Sequence, residues 1–347
     1  MNDISNVNEE LSNVDRAILD ALQQGLPVTE RPFAVVAQEL GIYERVVITR
    51  AAALKREGYI RRMGAFFSSH RLGYRGTLVA LSVDEEKLAA IAHFINRFPG
   101  VTHNYEREGR YQLWFTLLTM DDAEKQLVLD ALSRTEGVNS IIELPSEKSY
   151  KIRVTLPMED KQLHLGPRTA GVEPQGNAGT ESNDSDALSA LDFLDKKLIH
   201  LLSSELPIVD NPYDFLAKML QTPVSDVLER IKKYLSLGVM RRIGIVLAHQ
   251  RAGYTANGLC AWQVPDEQAD EIGEAIAAGE QRVSHCYRRR ADEAKGWPYT
   301  LYTMIHGHSR EEVESIAAAM ADRYEGLGDR IILYSVKEWK KASLTYF

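Results

Sequence analysis

The chain has 347 residues, 44% hydrophobic and 26% charged, with 41 basic against 49 acidic side chains and a net charge of −8. That apolar content supports packed cores and excludes a disordered chain, and the acidic balance argues against a polycation built for nucleic acid. Its two cysteines, Cys260 and Cys286, form no CxxC pair, which argues against a disulfide framework and a cysteine-based zinc site.

The opening MNDISNVNEELSNVD lacks the basic and apolar regions of a signal peptide, and no apolar run reaches the roughly 18 residues of a membrane helix. A cytoplasmic protein without membrane contact is expected. Asp15 to Leu22 places Ile18, Leu19 and Leu22 at helical spacing. A second helix follows from Phe33 to Leu40, with Gly41 at its end. The third, Glu44 to Glu57, puts Val47, Ala51 and Leu54 on one face before Gly58. Three short helices and the strand-like RRMGAFF predict a winged helix-turn-helix over 13–64. Next come a strand from Gly76 to Val83 and a helix carrying Leu88, Ile91, Ala92 and Ile95. Strands from Val101 to Arg107 and from Tyr111 to Thr119 flank Glu108-Gly109. A helix from Asp122 to Ser133 and a strand from Val138 to Leu144 complete the order βαββαβ, a ferredoxin-like domain over 65–155. Residues 156–190, with GPRTAGVEPQGNAGTESNDSD at their centre, are polar and acidic and read as a flexible linker.

Beyond the linker the chain repeats itself. Residue n placed beside n+180 aligns Leu26-Pro27 with Leu206-Pro207, Arg61-Arg62 with Arg241-Arg242, and Gly64 with Gly244. Val101-Thr102-His103-Asn104-Tyr105 then meets Val283-Ser284-His285-Cys286-Tyr287, and the second copy carries an insertion around Ala291 to Pro298. The fold class is therefore α+β: a tandem repeat of winged helix-turn-helix plus ferredoxin-like domain, the second copy spanning 191–244 and 245–347. The two halves are expected to pair as an intramolecular pseudo-dimer, with further homo-oligomerisation left open.

Strand alternation sets Val101, His103, Tyr105 and Arg107 on one sheet face, and Val283, His285, Tyr287 and Arg289 on its counterpart. Buried sheet faces prefer Val, Ile and Leu, so a His-Tyr-Arg ladder present twice suggests the lining of a polar cavity. A solvated face is the plainer reading of either ladder alone. Arg61, Arg241, Arg242 and the run Arg288-Arg289-Arg290 add guanidinium groups suited to carboxylate or phosphate, or to surface ion pairs. Tyr43–Arg62 holds six basic residues against two acidic ones, a balance compatible with DNA contact. The helices beginning IYERVVITR and TPVSDVLER offer few base-reading side chains, which disfavours it. Trp114 and Tyr302 occupy matched strand positions suited to a core or to stacking on a planar ligand. His306 and His308 suggest a metal pair only weakly, because no carboxylates accompany them, and no metal site is assigned.

The layout resembles Lrp/AsnC-type regulators. The strings RRMGAFFSSHRLGY, RRIGIVLAHQRAGY, VTHNYERE, VSHCYRRR and WPYTLYTMIHG resemble those of the siroheme decarboxylases, with each half similar to one of that family's two subunit types. The resemblance implies decarboxylation of two acetate side chains of siroheme to give didecarboxysiroheme, for heme d1 or heme biosynthesis. It implies no cofactor, since the iron belongs to the substrate. His103 and His285 are then the candidate proton donors, with His249, Tyr105 and Tyr287 as further catalytic candidates. Arg61, Arg107, Arg241, Arg242 and Arg289 are candidates to hold carboxylates, and Trp114 to stack on the macrocycle. The second half, with His249 and His285 together, is favoured as the working site. An Lrp/AsnC-type regulator binding DNA and a small effector is the alternative, and a tetrapyrrole carrier or heme sensor is a third reading.

Overall fold

The structure, a computed structural model, describes residues 11–152, 188–247 and 256–347. All but the last three residues of the expected linker lie outside that range, as does His249. The first half runs α1 (Asn13–Gln24), α2 (Pro32–Leu40), α3 (Glu44–Arg56), β1 (Ile60–Phe67), β2 (Arg75–Val83), α4 (Leu88–Ile95), β3 (Val101–Arg107), β4 (Leu113–Thr119), α5 (Asp122–Ser133) and β5 (Val138–Ile152). The second half repeats this order as α6 (Phe193–Ser203), α7 (Pro212–Leu220), α8 (Val224–Ser236), β6 (Met240–Leu247), β7 (Ala256–Trp262), α9 (Ala269–Gly279), β8 (Val283–Arg289), β9 (Leu301–Gly307), α10 (Arg310–Arg323) and β10 (Arg330–Lys341).

These elements divide into two units, and each draws on both halves. The first unit comprises described residues 11–66 and 204–247 and contains the winged-helix elements. Helix α6, the first helix expected of the second winged helix-turn-helix, groups with the other unit. Ser12 caps α1 through a reciprocal capping box with Asp15. Asp15 also takes two bonds from Arg50 on α3, at 2.7 and 2.9 Å. Burial opposes the charge on Asp15, but the bonds from Arg50 and Ser12 hold its carboxyl below the usual range.

Strands β1 and β6 pair as a two-stranded sheet. The turns after the first helices add reciprocal bonds, Leu26 N–H donating to Ile243 O (2.7 Å) and Leu206 N–H to Met63 O (2.9 Å). The adjoining glycines permit this approach: a Cβ on Gly244 would lie 2.7 Å from Leu22 O, and one on Gly64 2.8 Å from Ser204 O. Gly244→Ala should lower stability by about 1–3 kcal/mol, read as a drop in the urea midpoint. An unchanged midpoint would show that the paired wings tolerate separation.

In the second unit the strands close into a barrel in the order β10-β3-β4-β2-β5-β8-β9-β7. Two long strands achieve the closure. The first part of β5 pairs with β2 of its own half, and then Ser146–Ile152 pairs with β8 of the other half. Symmetrically, Arg330–Tyr334 of β10 pairs with β7, and Ser335–Lys341 pairs with β3. The last strand of the first half was expected to stop at Leu144. It continues because the other half offers β8 as an edge to pair with, which hydrophobic alternation within one half does not reveal.

Helices α4 and α5 cover the outer face of one sheet, with Ile91, Ile95, Phe115, Leu117 and Leu132 in the shared core. Helices α9 and α10 cover the other around Trp262, Ile276, Val283 and Ile305. The inward faces form a third core from both halves, including Trp114, Ile142, Leu144, Leu259, Trp297 and Tyr302. Among the described residues, no helix is long and apolar enough to cross a membrane.

Candidate functional site

The two ladders lie on β3 and β8, with one correction to their composition. A register break separates Val101 from His103, since Val101 pairs with Leu117 while His103 pairs with Thr116. The same break separates Val283 from His285. Each bulge inserts one extra residue, Thr102 or Ser284, and reverses the alternation. Val101 and Val283 consequently pack into the helix-covered cores rather than beside the histidines. Tyr105 pairs with the barrel-core residue Trp114, and Tyr287 with Tyr302.

The surviving ladders match closely. The His103 and Tyr105 rings are 6.2 Å apart with 27° between planes, and His285 and Tyr287 are 5.9 Å apart at 31°. Arg107 Cζ lies 5.3 Å from the Tyr105 ring centroid, and Arg289 Cζ lies 5.3 Å from that of Tyr287. Such spacing suits a cation against an aromatic face. Each arginine also reaches across to the long strand of the other half. Arg107 Nη1 donates to Leu333 O at 2.8 Å, and Arg289 Nη1 donates to Leu144 O at 2.7 Å.

No carboxylate pairs with Arg107 or Arg289 among the described residues. Arg107 is 5% exposed, and its buried Nε has no hydrogen-bond partner among the described residues. Burial pushes the Arg107 pKa down to about 10, partly offset by Tyr105, and burial lowers that of Arg289 as well. One buried and one half-buried guanidinium group, without counter-ions among the described residues, favour an anionic ligand. Their neighbours differ in this respect. Arg288 pairs with Glu147, Asp266 and Asp270, and Arg290 with Glu147, so two of the three consecutive arginines serve surface ion pairs.

The histidines are oriented by the bulge residues. His103 Nδ1 lies 3.0 Å from Thr102 Oγ1, and His285 Nδ1 lies 2.7 Å from Ser284 Oγ. Sequence reading passed over Thr102 and Ser284 because a bulge leaves no mark in a period-two pattern. It also gave His306 no role beyond a weak metal pair. His306 is a half-buried β9 residue, whereas His308 is exposed beyond the strand. No cluster of three metal-ligating side chains occurs among the described residues.

Trp114 is 1% exposed and belongs to the barrel core. Its Nε1 donates to Tyr111 O at 2.7 Å, and its ring lies 5.3 Å from that of Trp297. The enclosed ring has aromatic neighbours already in place. Trp297 comes from the insertion unique to the second half, and its Nε1 donates to Tyr302 Oη at 2.6 Å. Cys286 is buried, which pushes its thiol up to about 12 and makes it a poor nucleophile near neutrality.

Arg61, Arg241 and Arg242 belong to the winged-helix unit. Arg61 and Arg241 are exposed, while Arg242 lies 4.4 Å from the Phe66 ring centroid. Burial and the neighbouring Arg241 charge lower the Arg242 pKa.

Against known proteins, the AsnC-like ligand binding domain matches residues 71–151 and 251–340. The siroheme decarboxylase NirDL-like HTH domain matches residues 15–61 and 195–241. A siroheme decarboxylase of Hydrogenobacter thermophilus is 34% identical over 333 residues, covering 95% of this chain and 94% of that one. The chain belongs to the siroheme decarboxylase family. The family's architecture extends through both units: a crystal structure of the siroheme decarboxylase NirDL superposes with a TM-score of 0.72 at 30% identity, covering 96% of this chain and 94% of that one. A second crystal structure of NirDL, in co-complex with an iron-uroporphyrin III analogue, gives a TM-score of 0.70 at 29% identity, covering 95% and 93%.

Proposed function

We propose that this chain removes the carboxyl groups of two acetate side chains of siroheme, leaving methyl groups and releasing two CO2. The observation that carries the proposal is the pair of matched His-Tyr-Arg ladders, whose arginines, Arg107 buried and Arg289 half-buried, lack carboxylate partners among the described residues. Siroheme is a planar, multiply carboxylated macrocycle, and its family relative NirDL was crystallised with an iron-uroporphyrin III analogue. A guanidinium on each ladder would hold carboxylates that are not cleaved. The acetate that reacts would then lie near a histidine, converting recognition into orientation.

As the C–C bond to the carboxylate breaks, its electron pair stays on the CH2 carbon and spreads into the macrocycle. An imidazolium N–H of His285 delivers a proton to that carbon, giving the methyl group. Tyr287 and Tyr105 assist through their hydroxyls, and His103 occupies the corresponding position of the first half. His249 remains a further catalytic candidate. Trp114 contributes by shaping the barrel core behind the ladders rather than by stacking on the ligand.

Incubation of the purified protein with siroheme, without nicotinamide, flavin or added metal, should give a product lighter by two CO2 in mass analysis. A stable siroheme absorption spectrum without mass loss would instead identify a carrier. Sequence-specific, salt-sensitive DNA binding without turnover would identify a regulator. Arg289→Ala should weaken siroheme binding by about 1.5–3 kcal/mol, the value of a charge-assisted contact. Titration of the haem-like absorption measures this loss, and an unchanged Kd would assign Arg289 to strand crossing alone.

A further inference from the structure

We propose that His306 is a positioning residue for His285, acting through Ser284, and that this chain makes the second half the one that delivers protons. The inference rests on the reading of His285 as a proton donor. Ser284 Oγ lies 2.7 Å from His285 Nδ1 and 2.6 Å from His306 Nε2. His306 Nδ1 in turn lies 2.5 Å from Asn257 Oδ1. Asn257 Oδ1 only accepts, so His306 donates from Nδ1. With the His306 ring neutral, its bare Nε2 accepts the Ser284 hydroxyl proton. The Ser284 oxygen then accepts from His285 Nδ1–H.

The series therefore holds neutral His285 as the Nδ1–H tautomer, so its Nε2 is the nitrogen that gains and gives the proton. A neighbouring hydrogen bond commonly decides which imidazole nitrogen does chemistry. The bulge makes this possible by letting Ser284 reach both rings. Asn257 and His306 face each other in the β7–β9 register. The same rung of the first half pairs Gly76 with Leu118. There His103 keeps its contact to Thr102, but the two residues that would continue the series are absent.

Full-length protein labelled with 15N-histidine tests the proposal by NMR, alongside siroheme turnover and binding. Wild-type His285 should show the Nδ1–H tautomer. His306→Leu, which installs the side chain type of the first half, should shift it toward the Nε2–H form. The same substitution should lower kcat about 10- to 100-fold with siroheme Kd unchanged. Ser284→Ala should reproduce both effects, and His306→Gln, whose amide can donate to Asn257 and accept from Ser284, should restore part of kcat. A tautomer and kcat that stay at wild-type values in His306→Leu and Ser284→Ala would overturn the proposal. So would a parallel loss of kcat, affinity and thermal stability without rescue by His306→Gln. If the wild type does not decarboxylate siroheme, the proposed function fails separately, because the tautomer measurement needs no substrate.

Discussion

His285→Ala lowers the rate of siroheme decarboxylation about 10²–10⁴-fold, the usual cost of removing a positioned general acid, while siroheme still binds. The expectation follows from the placement of His285 two residues from Tyr287 and four from Arg289, beyond the bulge that turns all three away from the helix-covered core. Arg289 retains the carboxylate contact in the variant, so affinity and turnover separate. Single-turnover measurement of CO2 release, with Kd from the absorption spectrum, resolves the two. His103→Ala should slow turnover less, because His103 lacks the Ser284–His306–Asn257 series that orients His285. Equal losses at both histidines would indicate two equivalent proton-delivering sites. A loss confined to His103 would move the chemistry to the first half, and no loss at either would shift the proton to Tyr287, His249 or water.

Trp297→Ala should destabilise the barrel unit by about 3–5 kcal/mol, the range for removing a large aromatic side chain from a packed core. Trp297 is 4% exposed and lies 5.6 Å from Tyr111, 5.3 Å from Trp114 and 4.9 Å from Tyr299, measured between ring centroids. The turn that carries it also holds the first half. Lys295 Nζ donates to Ile141 O at 2.6 Å, and Arg110 Nη1 donates to Lys295 O at 3.1 Å. Truncation leaves the Tyr302 hydroxyl without its Trp297 donor as well as opening a cavity. A urea or thermal unfolding midpoint measures the effect. A change within the ordinary surface range of about 0.5 kcal/mol would show that the insertion rests on the barrel without stabilising it.

Local sequence was sufficient for the helices because their causes are local. Ile18, Leu19 and Leu22 recur on one face of α1, and Gly41 and Gly58 take the positive φ that ends α2 and the α3 turn. The internal repeat likewise exposed both ladders, since three polar residue types recur at matched strand positions. Period-two alternation misplaced Val101 and Val283 because hydrogen-bond register, and therefore a bulge, depends on the neighbouring strand. The same dependence hid the continuation of β5 into the other half and the long-range bonds from Arg107 to Leu333 and Arg289 to Leu144. Arg288, Arg289 and Arg290 are chemically identical in the sequence. Only burial and nearby carboxylates separate the two that form surface ion pairs from the one beside Tyr287. The sequence by itself determined the duplicated α+β architecture and the residue types available for carboxylate binding and proton transfer. Tertiary structure alone decided which of those groups meet, because distant strands set the register, the burial and the hydrogen-bond partners that distinguish one half from the other.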